Sequence, residues 1–194
     1  YSSAAGPEQV ASREDIPLTP PVSGNRDVTP AVEDRSYLWF IAAALVSALA
    51  GGFLLAVWLP LAATGLAPGQ DRVPWLTQAH GWVQLQGWAG LFVAGMAVRL
   101  MPRFAGKQPV RPRVTIPLLV VLVIPVALRL AVQPWATGTL AEVTAVVVGT
   151  LSAGAAAAVA TVLARTLWKG RKTRDPWRQF AWAGAAWWFV FAVL

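Results

Sequence analysis

Three stretches of the chain carry no formal charge and are dominated by apolar residues: Ser36 to Gln70, Val73 to Val98 and Val143 to Ala164. Each exceeds the roughly 20 residues that an α-helix needs to cross a hydrocarbon layer of about 30 Å. Turn residues and charges divide the chain into about five predicted helices. The first runs from about Tyr37 to Leu61, and the second from Pro74 or Thr77 to Leu100. The third spans Val114 to Val132 and the fourth Leu140 to Leu167, and a fifth begins near Trp177 and runs to the chain end. No segment has the short alternating strands of a membrane β-barrel. The predicted fold class is all-α, a polytopic transmembrane helical bundle.

Finer features fit that scheme. Trp39 and Trp58 fall near the two ends of the first helix, as interfacial tryptophans do. Ser47 with Gly51 and Ala48 with Gly52 are small pairs four residues apart, which permit close helix approach. Gly65, Pro68, Gly69 and Pro74 make the first connection rich in turn residues. Pro117 and Pro125 should kink the third helix or thin its backbone hydrogen bonding. The middle of the fourth, Gly149 to Ala160, is almost all small residues and suits tight packing.

Residues 1–34 read differently. Five prolines and six acidic residues leave too little apolar surface to offset the entropy of ordering, so a disordered tail is expected. The chain thus divides into a tail over 1–34 and a transmembrane helical domain over 35–194. Because it begins at Tyr1 and stops within an apolar segment, a longer parent protein is expected, with further helices or other membrane subunits as partners.

Composition and charge narrow the function classes. The net charge is +7, yet the basic residues cluster at helix ends, the pattern of orientation signals and not of a nucleic-acid surface. The connections after the second and fourth helices are basic, and the other two carry no net charge. The positive-inside rule therefore places the tail and both basic connections in the cytoplasm, where the basic residues would meet anionic lipid of the bilayer. With no cysteine, disulfides, thiolate metal sites and iron–sulfur clusters are excluded within this chain. A single histidine excludes any site built from two of this chain's imidazoles. No phosphate-cradling loop, nucleophile–base pair or carboxylate pair supports a hydrolase or an ATPase.

The candidate chemistry lies on the second helix, in the stretch Gln78 to Phe104. His80 is near its outer end, and Gln84 follows at i+4 on the same face. Gly87, Leu91 and Val98 continue that face, Gly95 lies at its edge, and Gln86 points almost the opposite way. Polar groups in lipid are costly without partners, so the His80–Gln84 face should look into a bundle or at a ligand. Two readings stand for His80: a ligand to haem iron or copper, or an interfacial histidine bonded to a loop carbonyl. Arg129 and Glu142 also admit two readings. They pair across the outer connection, or Arg129 holds an anionic group such as a haem propionate; alternatively Arg129 snorkels and Glu142 is solvated. Trp182, Trp187 and Trp188 read as packing and interfacial anchors.

The run AHGWVQLQGWAGLFVAGMAVRLMPRFAG, from Ala79 to Gly106, resembles the signature helix of the NnrS family. The points of likeness are His80, Gln84-Leu85, Gly87, Ala94-Gly95, and Pro102 with Phe104 and Gly106. VALRLAV around Arg129 is similar to the family's next helix, and the helix of haem–copper oxidase catalytic subunits is a more distant likeness. The family commonly carries a second histidine two residues after the first; here that position is Trp82. The resemblance implies a multi-pass protein of the bacterial inner membrane that binds haem or copper and is linked to nitric-oxide or respiratory stress. Within it His80 is the metal and haem ligand, Gln84 its neighbour and Arg129 a propionate or charge partner. The alternative is a cofactor-free membrane scaffold, assembly subunit or transporter-like bundle.

Overall fold

A computed structural model describes residues 35–168 and 176–193. The expectations for the tail over 1–34 and for the basic residues 169–174 lie outside the described residues. Among the described residues the chain is helical apart from short connections, with no strand. Five helices form it: α1 (Tyr37–Ala63), α2 (73–104), α3 (Pro112–Val132), α4 (Thr139–Trp168) and α5 (Pro176–Val193). A single 3-10 turn, Gln70–Arg72, precedes α2.

The helix limits follow from local chemistry. Gly106 ends α2 with φ +65° and Gly138 precedes α4 with φ +54°, a left-handed conformation that a side chain would strain. Pro112 opens α3 at its first turn, where its missing N–H costs nothing, after an extended Arg111. α3 remains helical through Pro117 and Pro125. α2 runs through Pro102 to Phe104, a turn beyond the limit expected from its apolar run.

Three helices, α1, α3 and α4, are long and apolar enough to cross a membrane. Only a third of each apolar window is buried inside the bundle, and large side chains such as Leu49, Phe53, Leu54 and Val57 stay exposed on α1. In water so much exposed apolar surface is unfavourable; in lipid it is the expected outer face. The chain is a helical integral membrane protein.

Helix ends show the order of packing. At one end Thr115 Oγ1 donates to Ser36 Oγ at 2.8 Å, and Phe104 meets Trp177 with ring centroids 5.8 Å apart. Arg99 lies 4.7 Å over the Tyr37 ring, and Arg178 donates to the Leu167 carbonyl. These contacts gather the starts of α1, α3 and α5 with the ends of α2 and α4, so successive helices run antiparallel. At the other end Arg72 donates to the carbonyls of Pro134 and Trp135, and Gln133 donates to Gln78 at 2.7 Å.

α2 is the central element. It packs against α1, α3 and α4, and it reaches α5 through side chains. The main core joins Phe40 and Ala44 of α1, Leu91, Ala94 and Val98 of α2, Leu118 and Leu122 of α3, and Ala155, Val159 and Leu163 of α4. In the small-residue middle of α4 the contacts come from Ser152, Ala155 and Ala156, which are buried. Gly149 and Gly154 face open space.

Candidate functional site around His80

The α1–α2 seam sets the position of His80. Both helices widen there into π-helical segments, Ala48–Phe53 on α1 and Val83–Gly90 on α2, which pack against each other. π turns are uncommon and often mark functional positions. Adjacent Gly51 and Gly52 weaken the α-helix locally and remove the side chains that would hold the helices apart. A Cβ on Gly51 would collide with Val83, and one on Gly52 with Gln84. One turn on, a Cβ on Gly87 would meet Ser47 at 3.0 Å.

His80 sits half-buried beside this seam. Its Nδ1 lies 3.2 Å from the Gly51 carbonyl oxygen. A carbonyl only accepts, so Nδ1 is the donor, and in the neutral ring the lone pair then falls on Nε2. The partner is a helix carbonyl of the π segment, not the loop carbonyl that an interfacial histidine was expected to find. The expected His80–Gln84 face does look into the bundle. Gln84 lies against Gly52, and Gly87, Leu91, Gly95 and Val98 are all buried.

Arg129 lies on another seam. It is only 9% exposed, and its guanidinium stacks 4.7 Å from the centroid of the Trp82 ring. Among the described residues the ion pair is Arg72–Asp71, at 3.7 Å, both outside the helices. The expected Arg129–Glu142 pair is therefore not formed: Arg129 points back at α2 while Glu142 is exposed. Two buried polar atoms remain unpartnered in this region, Arg129 Nε and Gln133 Oε1, a donor and an acceptor one helical turn apart.

The three candidate residues are thus divided. His80 and Gln84 face α1, and Arg129 stacks on Trp82 of α2, the residue between them in sequence. Among the described residues no three histidine, aspartate or glutamate side chains converge. A lone imidazole with a fixed Nδ1–H is one donor for a metal, and the carbonyl bond is the arrangement that usually orients a metal-binding histidine.

One polar link escaped the sequence reading. Trp188 Nε1 donates to Gln86 Oε1 at 2.6 Å, joining α2 to α5 on the side away from His80. The sequence held half of the signal: a glutamine amid apolar residues needs a partner. Next to this link is an apolar cavity of about 450 Å³ between α2, α4 and α5. None of His80, Gln84 and Arg129 lines it.

No protein-family model, curated protein or solved structure matches this chain.

Proposed function

We propose that this protein is an NnrS-like haem-binding membrane protein of the bacterial inner membrane, acting in nitric-oxide or respiratory stress. The observation that carries the reading is the His80 ring, held at Nδ1 by the Gly51 carbonyl, which in the neutral ring places the lone pair on Nε2. What supports haem is His80 with its neighbour Gln84, while Arg129 lies on a separate seam, stacked on Trp82. The residues fit copper less well, because a single imidazole needs further donors from outside the described residues. His80 would hold the iron, Gln84 would stand by as an amide, and Arg129 would offer a positive charge for a propionate. Haem, if bound, would supply a redox-active iron suited to a small diatomic ligand. The Gly51 carbonyl of α1 holds the imidazole in place.

The second reading, a cofactor-free scaffold, draws support from Trp82 and Gln84. Trp82 stands where the family has its second histidine and stacks under Arg129, and Gln84 is engaged with Gly52. Absorbance spectra of purified protein from haem-replete cells separate the two readings. The haem reading expects a Soret band that shifts on reduction and disappears in His80→Ala. No band in the wild type would leave the scaffold, and a band indifferent to His80→Ala would move the ligand elsewhere.

A further inference from the structure

His80 and Val83 stand three residues apart on α2, so their side chains leave the helix on one face. Both meet the same residue of α1, Gly51. His80 Nδ1 donates to the Gly51 carbonyl oxygen at 3.2 Å, and a Cβ on Gly51 would collide with Val83 Cγ1. On the α3 side the same Cβ would meet Leu130 Cδ2 at 3.0 Å. The Gly51 backbone is thus enclosed by two helices while its carbonyl faces the imidazole.

The two obstacles differ in how far they can yield. Leu130 meets the site with the far end of a flexible side chain. Val83 is fully buried and β-branched, with one strongly preferred rotamer in a helix, so its methyl group cannot turn aside. A side chain at residue 51 would therefore push α1 away from α2. The bond to His80 is already at the long end of the N–H···O range, so a small separation breaks it. That bond decides which ring nitrogen can meet a metal. While Nδ1 donates, the lone pair of the neutral ring is on Nε2; once the acceptor withdraws, the proton is free to move to Nε2.

We infer that Gly51 is a positioning residue for His80: its missing side chain lets α1 approach α2 closely enough for its carbonyl to hold the Nδ1–H tautomer, with the lone pair on Nε2. The consequence for haem rests on the reading of His80 as the ligand. The tautomer itself belongs to the haem-free chain, so the two claims can fail separately.

The chain has one histidine, so nitrogen-15 labelling of histidine in the full, haem-free protein reports a single ring. In lipid, at a pH above the histidine range, magic-angle-spinning spectra distinguish the protonated nitrogen from the lone-pair nitrogen. The wild type should carry the proton on Nδ1. Gly51→Ala should lose that signal in favour of Nε2–H, and should weaken haem binding roughly 10-fold, as loss of a ring partner does. Adding Val83→Ala removes the obstacle and should restore Nδ1–H. Gly95→Ala crowds the same two helices about four turns away, and should lower stability without altering the ring. If Gly51→Ala does not fold, adding Leu130→Ala relieves only the α3 side, and the proton should still move to Nε2. An Nδ1–H ring that responds in this way in a protein without a Soret band would keep the inference and remove the haem reading. A wild-type ring protonated on Nε2, a tautomer unmoved by Gly51→Ala, one moved equally by Gly95→Ala, or one that Val83→Ala fails to restore would overturn the inference.

Discussion

Arg129 is a cation inside an apolar bundle, and the first question is what makes its burial tolerable. An arginine at the centre of a membrane helix costs roughly 2.5–3.5 kcal/mol on insertion scales. The Trp82 ring, 4.7 Å from the guanidinium, offsets part of that; a desolvated cation–π contact is worth about 2 kcal/mol. Trp82→Ala should therefore destabilise the protein by about 2 kcal/mol or more, since packing is lost as well. Trp82→Phe keeps a weaker ring and should cost less. In Arg129→Leu the same Trp82→Ala change should cost distinctly less, because no buried cation remains. A double-mutant cycle on thermal unfolding in detergent measures the difference. Additive effects would show that ring and cation do not interact. The sequence drew attention to Arg129 as an intramembrane charge, and burial supports that emphasis. It suggested Glu142 as partner, because only a short connection separates the two. The real neighbour is on another helix, and nothing in residue spacing reveals which helix face meets which.

At the scale of helices, glycine has two opposite roles, decided by what faces it. A Cβ on Gly95 of α2 would lie 2.6 Å from the Phe40 Cβ and 3.3 Å from the Tyr37 carbonyl. Both atoms belong to or adjoin the α1 backbone and cannot step aside, so Gly95→Ala should cost about 1–3 kcal/mol by overpacking. At Gly52 the obstacle is the terminal amide of Gln84, which can rotate away, so Gly52→Ala should cost less. Gly154 on α4 faces open space, and Gly154→Ala should be neutral or raise stability by up to about 1 kcal/mol through helix propensity. The order of thermal midpoints is therefore Gly154→Ala highest, Gly52→Ala intermediate and Gly95→Ala lowest; Gly154→Ala below either of the others would mean that the α1–α2 seam is not where the helices approach most closely, and Gly52→Ala lowest would mean that Gln84 cannot rotate away. Hydropathy and turn residues made the five helices legible to within a few residues at most ends. The small pairs of α1 were legible too, and Ser47, Gly51 and Gly52 do lie on the seam. The π segments were not, because widening a helix by a residue per turn leaves no mark in composition. The long run of small residues on α4 drew attention to Gly149 and Gly154, yet its alanines and Ser152 make the contacts.

For the molecule as a whole, the question is which end faces which compartment. The contacts between Thr115 and Ser36 and between Phe104 and Trp177 put the α2–α3 connection and the start of α5 at one end. Arg103, Lys107, Arg111, Arg113 and Arg178 are therefore gathered at that end, while the other holds Arg72 beside Asp71. If the positive-inside rule governs insertion, the first end is cytoplasmic and His80 lies toward the outer face. The chain has no cysteine, so single cysteines report position without background. Gly106 and Gly138 are poor places for them, since both have positive φ. Their exposed neighbours Gln108 and Thr137 are suitable, and neither change alters the charge. A membrane-impermeant maleimide should label Thr137→Cys in spheroplasts and Gln108→Cys only after permeabilisation. Labelling of both without permeabilisation would contradict the antiparallel order of α2, α3 and α4. The reverse pattern would keep the fold and invert the protein, and His80 would then lie toward the cytoplasm.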